Sequence, residues 1–217
     1  RTVIVFMSDN GPEAGRMDQS ATILEHVGHE YDHRLENLGS ATSYVNYGRN
    51  WASVSATPFY RHKATAFEGG VHVPAFVHYP RRVAGGARCH ATATVMDLFP
   101  TFLALAGTRH PGTSYRGRAV LPPQGVSLLP LLLGEAEAAH PADHLFGWEL
   151  YGHRAVRRGR FKLVWDQAEA PAERRWRLFD LAEDPFEQHD LSLDAPDRYR
   201  EMAEGWEKYE QENGVIY

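Results

Sequence analysis

Two neighbouring side chains near the start of the sequence offer hard oxygen donors, a carboxylate at Asp9 and an amide oxygen at Asn10. Such a pair suits a hard cation such as Ca2+, which takes oxygen ligands. The plain alternative is a turn rich in Asp and Asn that only ends a strand, because these side chains bond their own backbone in turns. Lys63, one of three lysines in an Arg-rich chain, precedes Glu68-Gly69-Gly70. Its compact ammonium suits a tetrahedral oxyanion as a point charge, although a loop lysine is also simply solvated. Glu25-His26, His29 and Asp32-His33 are spaced so that histidines on a helix could reach one ion. No thiolate lies near and the segment is weakly patterned, so these read as exposed histidines. Cys89 beside His90 could be a nucleophile next to a base. Adjacent residues on an extended chain point to opposite faces, so a plain, partly buried cysteine is the simpler reading.

Composition sets the frame for these groups. The chain of 217 residues has 43% apolar and 24% charged residues, an ordinary globular balance that allows one large domain or two small ones. A net charge of −5 gives no reason to expect nucleic acid or an anionic membrane surface as partner. No apolar run approaches a membrane span; Leu128 to Leu133 is far too short. A single cysteine excludes an internal disulfide and a zinc–thiolate cluster. The chain enters an apolar strand directly after Arg1, with no initiator Met and no signal sequence. A C-terminal part of a longer protein is therefore expected, with the missing N-terminal part as its partner. The compartment stays open, because a protein without disulfides can live anywhere, cytoplasm and periplasm alike.

The elements that must position the candidate groups follow from periodicity. Val3 to Met7 is an apolar, β-branched run, expected as a strand buried on both faces in a helix-covered sheet. It ends in Ser8-Asp9-Asn10-Gly11-Pro12, and ligands of open α/β sheets sit beyond the carboxyl ends of strands. Glu13 to Tyr60 reads as a long polar loop with a short helix at 21–27, packed through Tyr44, Tyr47, Trp51 and Phe59; loops this long are usually functional. Val71 to Tyr79 alternates and predicts a second, irregular or edge strand around Pro74. Val95 to Ala106 predicts a helix capped by Asp97, with Pro100 in its first turn, Gly107 at its end and Leu98, Phe102 and Leu105 on one face. Residues 108–125 read as a linker, 126–133 as a short helix and 134–142 as a connector. From Asp143 onward, runs at 145–150, 153–157, 161–165 and 176–181 predict an antiparallel meander, with a hairpin turn at Arg158-Gly159. A final helix is expected from about Ala195 to Asn213, capped by Asp194. Tyr199, Met202, Ala203, Trp206 and Tyr209 form its apolar face over the meander.

Four stretches, in order, carry a family likeness. Val5-Phe6-Met7-Ser8-Asp9-Asn10-Gly11-Pro12 resembles the second metal-binding segment of the type I sulfatases, within the alkaline phosphatase superfamily. Lys63 to Ala75 is similar to that family's K-x-x-x-x-E-G-G-x-R-x-P-x stretch. Asp97-Leu98-Phe99-Pro100-Thr101 resembles its D-[IVL]-x-P-T helix start. Leu178-Phe179-Asp180-Leu181 through Asp184-Pro185 and Glu187 to Asp190-Leu191 matches its C-terminal pattern. The likeness is to bacterial arylsulfatases, with Gly147-Trp148-Glu149-Leu150 and Ala155-Val156-Arg157 in support.

The resemblance implies an α/β fold: the C-terminal part of a large mixed sheet flanked by helices, plus a small antiparallel sheet packed by a long C-terminal helix. It divides the chain into 1–142, part of the catalytic α/β domain, and 143–217, the sheet-plus-helix subdomain. It implies Asp9 and Asn10 as Ca2+ ligands, and Lys63 as a catalytic and substrate-binding residue touching the sulfate. The family nucleophile is a hydrated formylglycine made from a cysteine in C-x-P-x-R. Cys89-His90-Ala91-Thr92-Ala93 does not match, so that nucleophile is expected upstream of residue 1, and this chain alone is expected to be inactive. His72 stands where the family has Arg. The substrate implied is a small-molecule sulfate ester, an aryl ester among the candidates. Two alternatives stay open: a phosphomonoester, phosphodiester or phosphonate ester hydrolase of the same superfamily, and a non-catalytic ligand-binding module. Asn10 bears on the first, since zinc or manganese phosphoesterases of this superfamily place His there.

Overall fold

A computed structural model of the chain describes residues 2–15, 25, 31–32, 34–44 and 48–216. The short helix expected at 21–27, the histidines of the candidate cluster (His26, His29 and His33) and Tyr47 lie outside the described residues, Glu25 excepted. Contacts group the chain into two units, one of Arg1–Phe6 with Ala75–His144, the other of Met7–Pro74 with Leu145–Tyr217. The architecture is mixed α/β, with a four-stranded antiparallel sheet and a long C-terminal helix.

In the first unit, β1 (Ile4–Met7) pairs with β2 (Ala75–His78). Burial of β1 on both faces is not observed. Ile4 and Phe6 are about half exposed, and Phe6 stacks on the equally exposed Phe76 at 5.2 Å. Alternation turns these side chains to a face left about half open to solvent. The second strand is also shorter than expected. Val71 closes a helical turn, α2 (Glu68–Val71), and only the residues after Pro74 extend the sheet.

Further along this unit, a 3-10 turn at Val95–Asp97 runs into α3 (Leu98–Leu105), and Gly107 ends it at φ +68°. The cap is Thr94 rather than Asp97. The Thr94 N–H donates to Asp97 Oδ2 at 2.7 Å, the reciprocal half of a capping box. Asp97 is fully buried and ties down more than the helix start. Its Oδ1 accepts the Val126 N–H at 2.8 Å, and His140 Nε2 lies 3.0 Å from Oδ2. Burial pushes this carboxyl up, but the bonds from His140, Thr94 and Val126 outweigh it and hold it below its ordinary value. Thr101 Oγ1 donates to the Asp97 carbonyl and accepts the Leu128 N–H. The D-x-x-P-T stretch is thus a buried polar knot. Phe102, expected on the packed face, is about half exposed, and Cys89 is exposed rather than partly buried. The expected linker holds a short hairpin, β3 (Ser114–Tyr115) with β4 (Arg118–Ala119), before the short helix α4 (Leu129–Leu132).

In the second unit the expected meander forms: β5 (Leu145–Leu150), β6 (His153–Arg158), β7 (Phe161–Trp165) and β8 (Trp176–Asp180) pair antiparallel in chain order. Period-two alternation gives the sheet two apolar faces. Val156, Leu163 and Leu178 pack against Met202 and Trp206 of α5 (Pro196–Asn213), as the helix face predicts. Ala155, Val164 and Phe179 face the other way and pack on Ala66 and Phe67. Asp194 does not cap α5; its N-cap is Ala195 without a side-chain bond, and Pro196 starts the helix with its φ already set. The expected long loop contains α1 (Gly48–Ala56), which buries Ala52 and Ala56 one turn apart. Trp51 and Tyr44 are exposed, so these aromatics do not pack the segment down. With small residues buried and Trp51 and Val54 on the exposed side, the helix left little apolar periodicity to read.

Candidate functional site

The second unit builds a cleft of about 690 Å3 lined by Asp9, Asn10, Glu13, Phe59, Lys63 and His72, among others. The turn after β1 is pinned to the Glu68-Gly69-Gly70 segment by backbone. The Ser8 N–H donates to the Pro74 carbonyl at 3.1 Å and the Gly11 N–H to the Gly70 carbonyl at 2.9 Å. Ser8 Oγ donates to the Asn10 carbonyl, which closes the turn. The approach is so close that a Cβ on Gly11 would sit 1.9 Å from the Gly69 carbonyl oxygen. A Cβ on Gly69 would meet the Tyr60 and Arg61 carbonyl oxygens at 2.4 and 2.3 Å. The paired glycines are therefore a requirement of backbone contact.

Lys63 reaches this cleft from a strained loop. Arg61 and Ala64, on either side of it, both have φ of 66°, in the left-handed region that side chains disfavour. The Lys63 N–H donates to the Pro12 carbonyl at 3.1 Å, so this loop and the Asp9 turn share one backbone frame. Lys63 Nζ lies 2.8 Å from Glu13 Oε2, with both side chains a little over two-fifths exposed. The hydrogen bond with Glu13 is the main cause that raises the Lys63 ammonium above its ordinary value; the Asp9 charge adds a smaller part. The same bond lowers the Glu13 carboxyl. No hydrogen bond or ion pair within the described residues engages the side-chain oxygens of Asp9 and Asn10.

Beneath the rim lies a closed ionic clasp. Lys162, in the middle of β7, is wholly buried and reaches Glu68 Oε1 at 2.7 Å and Glu187 Oε1 at 3.0 Å. Glu187 Oε2 accepts the Glu68 N–H at 2.6 Å. Burial alone would raise Glu68, yet Lys162 and His72 hold its carboxyl at about 2. Glu187 goes the other way; burial raises it and the Glu68 charge adds to that, against Lys162. His72 Nδ1 lies 3.0 Å from Glu68 Oε2, and its ring stacks on Phe59 at 4.4 Å along the cleft wall. A second anchor holds the Lys63 loop: Arg61 Nη2 donates to the buried Asp166 at 2.6 Å.

Asp9, Asn10 and Lys63, the residues that the family likeness singled out, all line this one cleft. Among the described residues, no group of three or more His, Cys, Asp or Glu gathers as a metal cluster. Two residues of the site were not singled out by sequence. Glu13 is an acid four positions after Asp9 in the same turn. Lys162 is a lone charge inside the apolar run Phe161-Lys162-Leu163-Val164-Trp165, a pattern that signals a buried ion pair.

Comparison with known proteins adds independent findings. Residues 1–108 match the family model described as Sulfatase, and residues 59–211 match that described as N-sulphoglucosamine sulphohydrolase, C-terminal. An uncharacterized sulfatase of Schizosaccharomyces pombe is 35% identical over 99% of this chain and 39% of its own length. Arylsulfatase A of Bos taurus is 31% identical over 90% of this chain and 34% of its own. The arylsulfatase of Klebsiella aerogenes is 34% identical over 58% of this chain and 27% of its own. The chain thus spans between about a quarter and two-fifths of the length of these relatives. The crystal structure of Ps i-CgsB in complex with k-i-k-neocarrahexaose has the same fold over 95% of this chain and 36% of that one, with a TM-score of 0.59 at 24% identity. A Bacteroides thetaiotaomicron structure described under the metabolism of multiple glycosaminoglycans superposes over 97% of this chain and 39% of that one, with a TM-score of 0.62 at 21% identity.

Proposed function

The chain belongs to the sulfatase family, and from that premise we propose that it supplies part of the active site of an arylsulfatase-like sulfuric ester hydrolase. The reaction is cleavage of a sulfate monoester to an alcohol or phenol and sulfate. The observation that carries this reading is the meeting of the Asp9-Asn10 turn and Lys63 on one cleft, held by shared backbone bonds. Relatives named arylsulfatases at 31 and 34% identity support the aryl class of substrate.

The donor set fits Ca2+ in kind. Asp9 and Asn10 present hard oxygens that no described residue engages, and an amide oxygen favours Ca2+ over zinc or manganese. When bound, such a cation supplies Lewis-acid polarisation of a sulfate oxygen. Lys63 binds a second sulfate oxygen through its ammonium and offsets the negative charge that grows in the transition state. The backbone frame around Pro12 and Gly70 fixes the spacing between these groups before substrate arrives, which is where positioning gains its rate. The nucleophile we assign is a formylglycine upstream of residue 1; Cys89 lacks the flanking motif for it. In chain order, 1–142 is assigned to the catalytic domain and 143–217 to the subdomain, on the change of sequence texture at Asp143. The test is hydrolysis of 4-nitrophenyl sulfate by the full-length protein, with and without a chelator. Loss of turnover on chelation and in Asp9→Ala, each restored by Ca2+ or by the native residue, is expected. Full activity in Asp9→Ala would overturn the reading.

A further inference from the structure

Glu13 has no part in the chemistry above, yet it occupies the ammonium that the chemistry needs. Its Oε2 lies 2.8 Å from Lys63 Nζ, while its Oε1 accepts the Gly15 N–H at 2.6 Å. This is a built contact, because the Lys63 N–H is bonded to the carbonyl of Pro12, the residue just before Glu13. The two side chains are therefore delivered to each other from one backbone frame, on the same cleft as Asp9 and Asn10. Both are exposed enough for solvent and an incoming anion to reach them.

We propose that Glu13 is a specificity-determining residue, the resident counter-ion of Lys63 that biases the cleft toward monoanionic esters over dianionic ones. The inference rests on the reading of this cleft as a sulfate ester site. An anion that binds Lys63 must share or displace the Glu13 carboxylate. It also feels that carboxylate as a fixed negative charge. Coulomb energy is linear in the ligand's charge, so the penalty on a dianion is twice that on a monoanion, whatever other residues complete the site. A sulfate monoester carries one negative charge and a phosphate monoester carries up to two. Tetrahedral shape does not separate them; charge does. Glu13 thus supplies discrimination by repulsion, beside the attraction of Lys63.

The test uses the full-length protein and its Glu13→Gln and Glu13→Ala variants, with Glu13→Asp as the rescue. Binding of methyl sulfate (a monoanion) and of phosphate, at a pH where phosphate is a dianion, is measured by calorimetry beside KM for 4-nitrophenyl sulfate. Exposed charge pairs are worth up to about 1 kcal/mol, so removing the carboxylate is expected to tighten methyl sulfate about two- to five-fold. Phosphate is expected to gain about the square of that factor. Glu13→Asp keeps the wild-type ratio. Equal gains for both anions, no gain, or weaker binding of both would overturn the proposal; the last would make Glu13 a group that positions Lys63. Absence of aryl sulfate hydrolysis in every protein, the wild type included, sinks the sulfatase reading alone. The ratio of the two affinities still decides the role of Glu13.

Discussion

Lys162 Nζ and Glu68 Oε1 meet at 2.7 Å with the lysine side chain closed to solvent, although 94 positions separate them in the chain. The bond joins the Glu-Gly-Gly segment under the cleft to the centre of the antiparallel sheet. Removing the ammonium leaves Glu68 and Glu187 facing each other with only the half-exposed His72 still bonded to Glu68. Breaking one side of a buried pair costs about 3–5 kcal/mol. Lys162→Met is expected to lower the unfolding free energy by that amount, read from urea denaturation. A change within the error of the extrapolation would show that the clasp carries no net stability.

The clasp also sets an acid limit. Glu68 and Asp166 titrate at about 2 in the folded protein, against ordinary values of 4.5 and 3.8. For Asp166, burial raises the carboxyl, but His153, the Ala168 N–H and Arg61 outweigh it. Both folded values lie below the unfolded ones, so the folded state binds fewer protons. Their contribution is complete above the ordinary values and is lost as pH falls from there toward 2. Glu187 is shifted upward and has the opposite sign. Its contribution is complete below 4.5 and disappears as pH rises through its folded value. Stability should therefore fall steeply on the acid side, and Glu68→Gln should flatten that limb. A Glu68→Gln profile parallel to the wild type's would contradict the assignment.

Close backbone contact at the cleft rim predicts an intolerance of one methyl group. Gly11→Ala places a Cβ 1.9 Å from the Gly69 carbonyl oxygen, and rigid backbone must move to accept it. Overpacking of this kind costs about 1–3 kcal/mol and at times more. The expected result is a lower melting temperature together with altered cleft geometry, visible as amide shift changes at Gly69 and Gly70. An unperturbed Gly11→Ala protein would rule out the close approach.

Ala64 sits at φ 66° next to Lys63. A side chain in the left-handed region costs roughly 1–2 kcal/mol that glycine does not incur. Ala64→Gly is expected to recover part of that cost, less what glycine adds to the freedom of the unfolded chain. Equilibrium unfolding measures the difference, and a clear loss of stability would place Ala64 in an unstrained conformation.

Lys63 itself should separate function from stability. Its side chain is partly exposed, and surface substitutions away from structural features stay within about 0.5 kcal/mol. Loss of one transition-state donor lowers kcat about 10²–10³-fold. Lys63→Ala in the full-length protein is therefore expected to keep its melting temperature and lose most of its turnover of 4-nitrophenyl sulfate. Activity within a factor of two of wild type would remove Lys63 from the site.

Much of the second unit was legible because its elements obey simple periods. The alternating runs predicted the meander, in which Val156 and Leu163 share one face and Val164 lies on the other, and the helical spacing of Met202 and Trp206 predicted the layer over it. Asp9, Asn10 and Lys63 each also read as a plain turn or loop residue, and it was the ordered family likeness that singled them out. The failures have equally local causes. Helix α1 hides its buried stripe in Ala52 and Ala56, which carry little hydrophobic signal. The run Val71 to Tyr79 alternates like a strand, yet the tight contacts of Gly69 and Gly70 select a helical turn for its first residue. Pairings such as Lys162 with Glu68 depend on tertiary proximity, which no window of sequence contains.

The distance along the chain between Glu68 and Glu187 has a consequence for how the protein is made. Glu187 Oε2 caps the Glu68 N–H, and Lys162 sits between the two carboxylates. During synthesis the Glu-Gly-Gly segment leaves the ribosome long before either partner. Until residue 187 has emerged, the Glu68 N–H lacks its carboxylate acceptor and the clasp is incomplete. Contacts of this sequence separation form slowly, because the intervening chain loses its freedom before the contact rewards it. The clasp, unlike the lining of the cleft, is therefore completed only near the end of the chain.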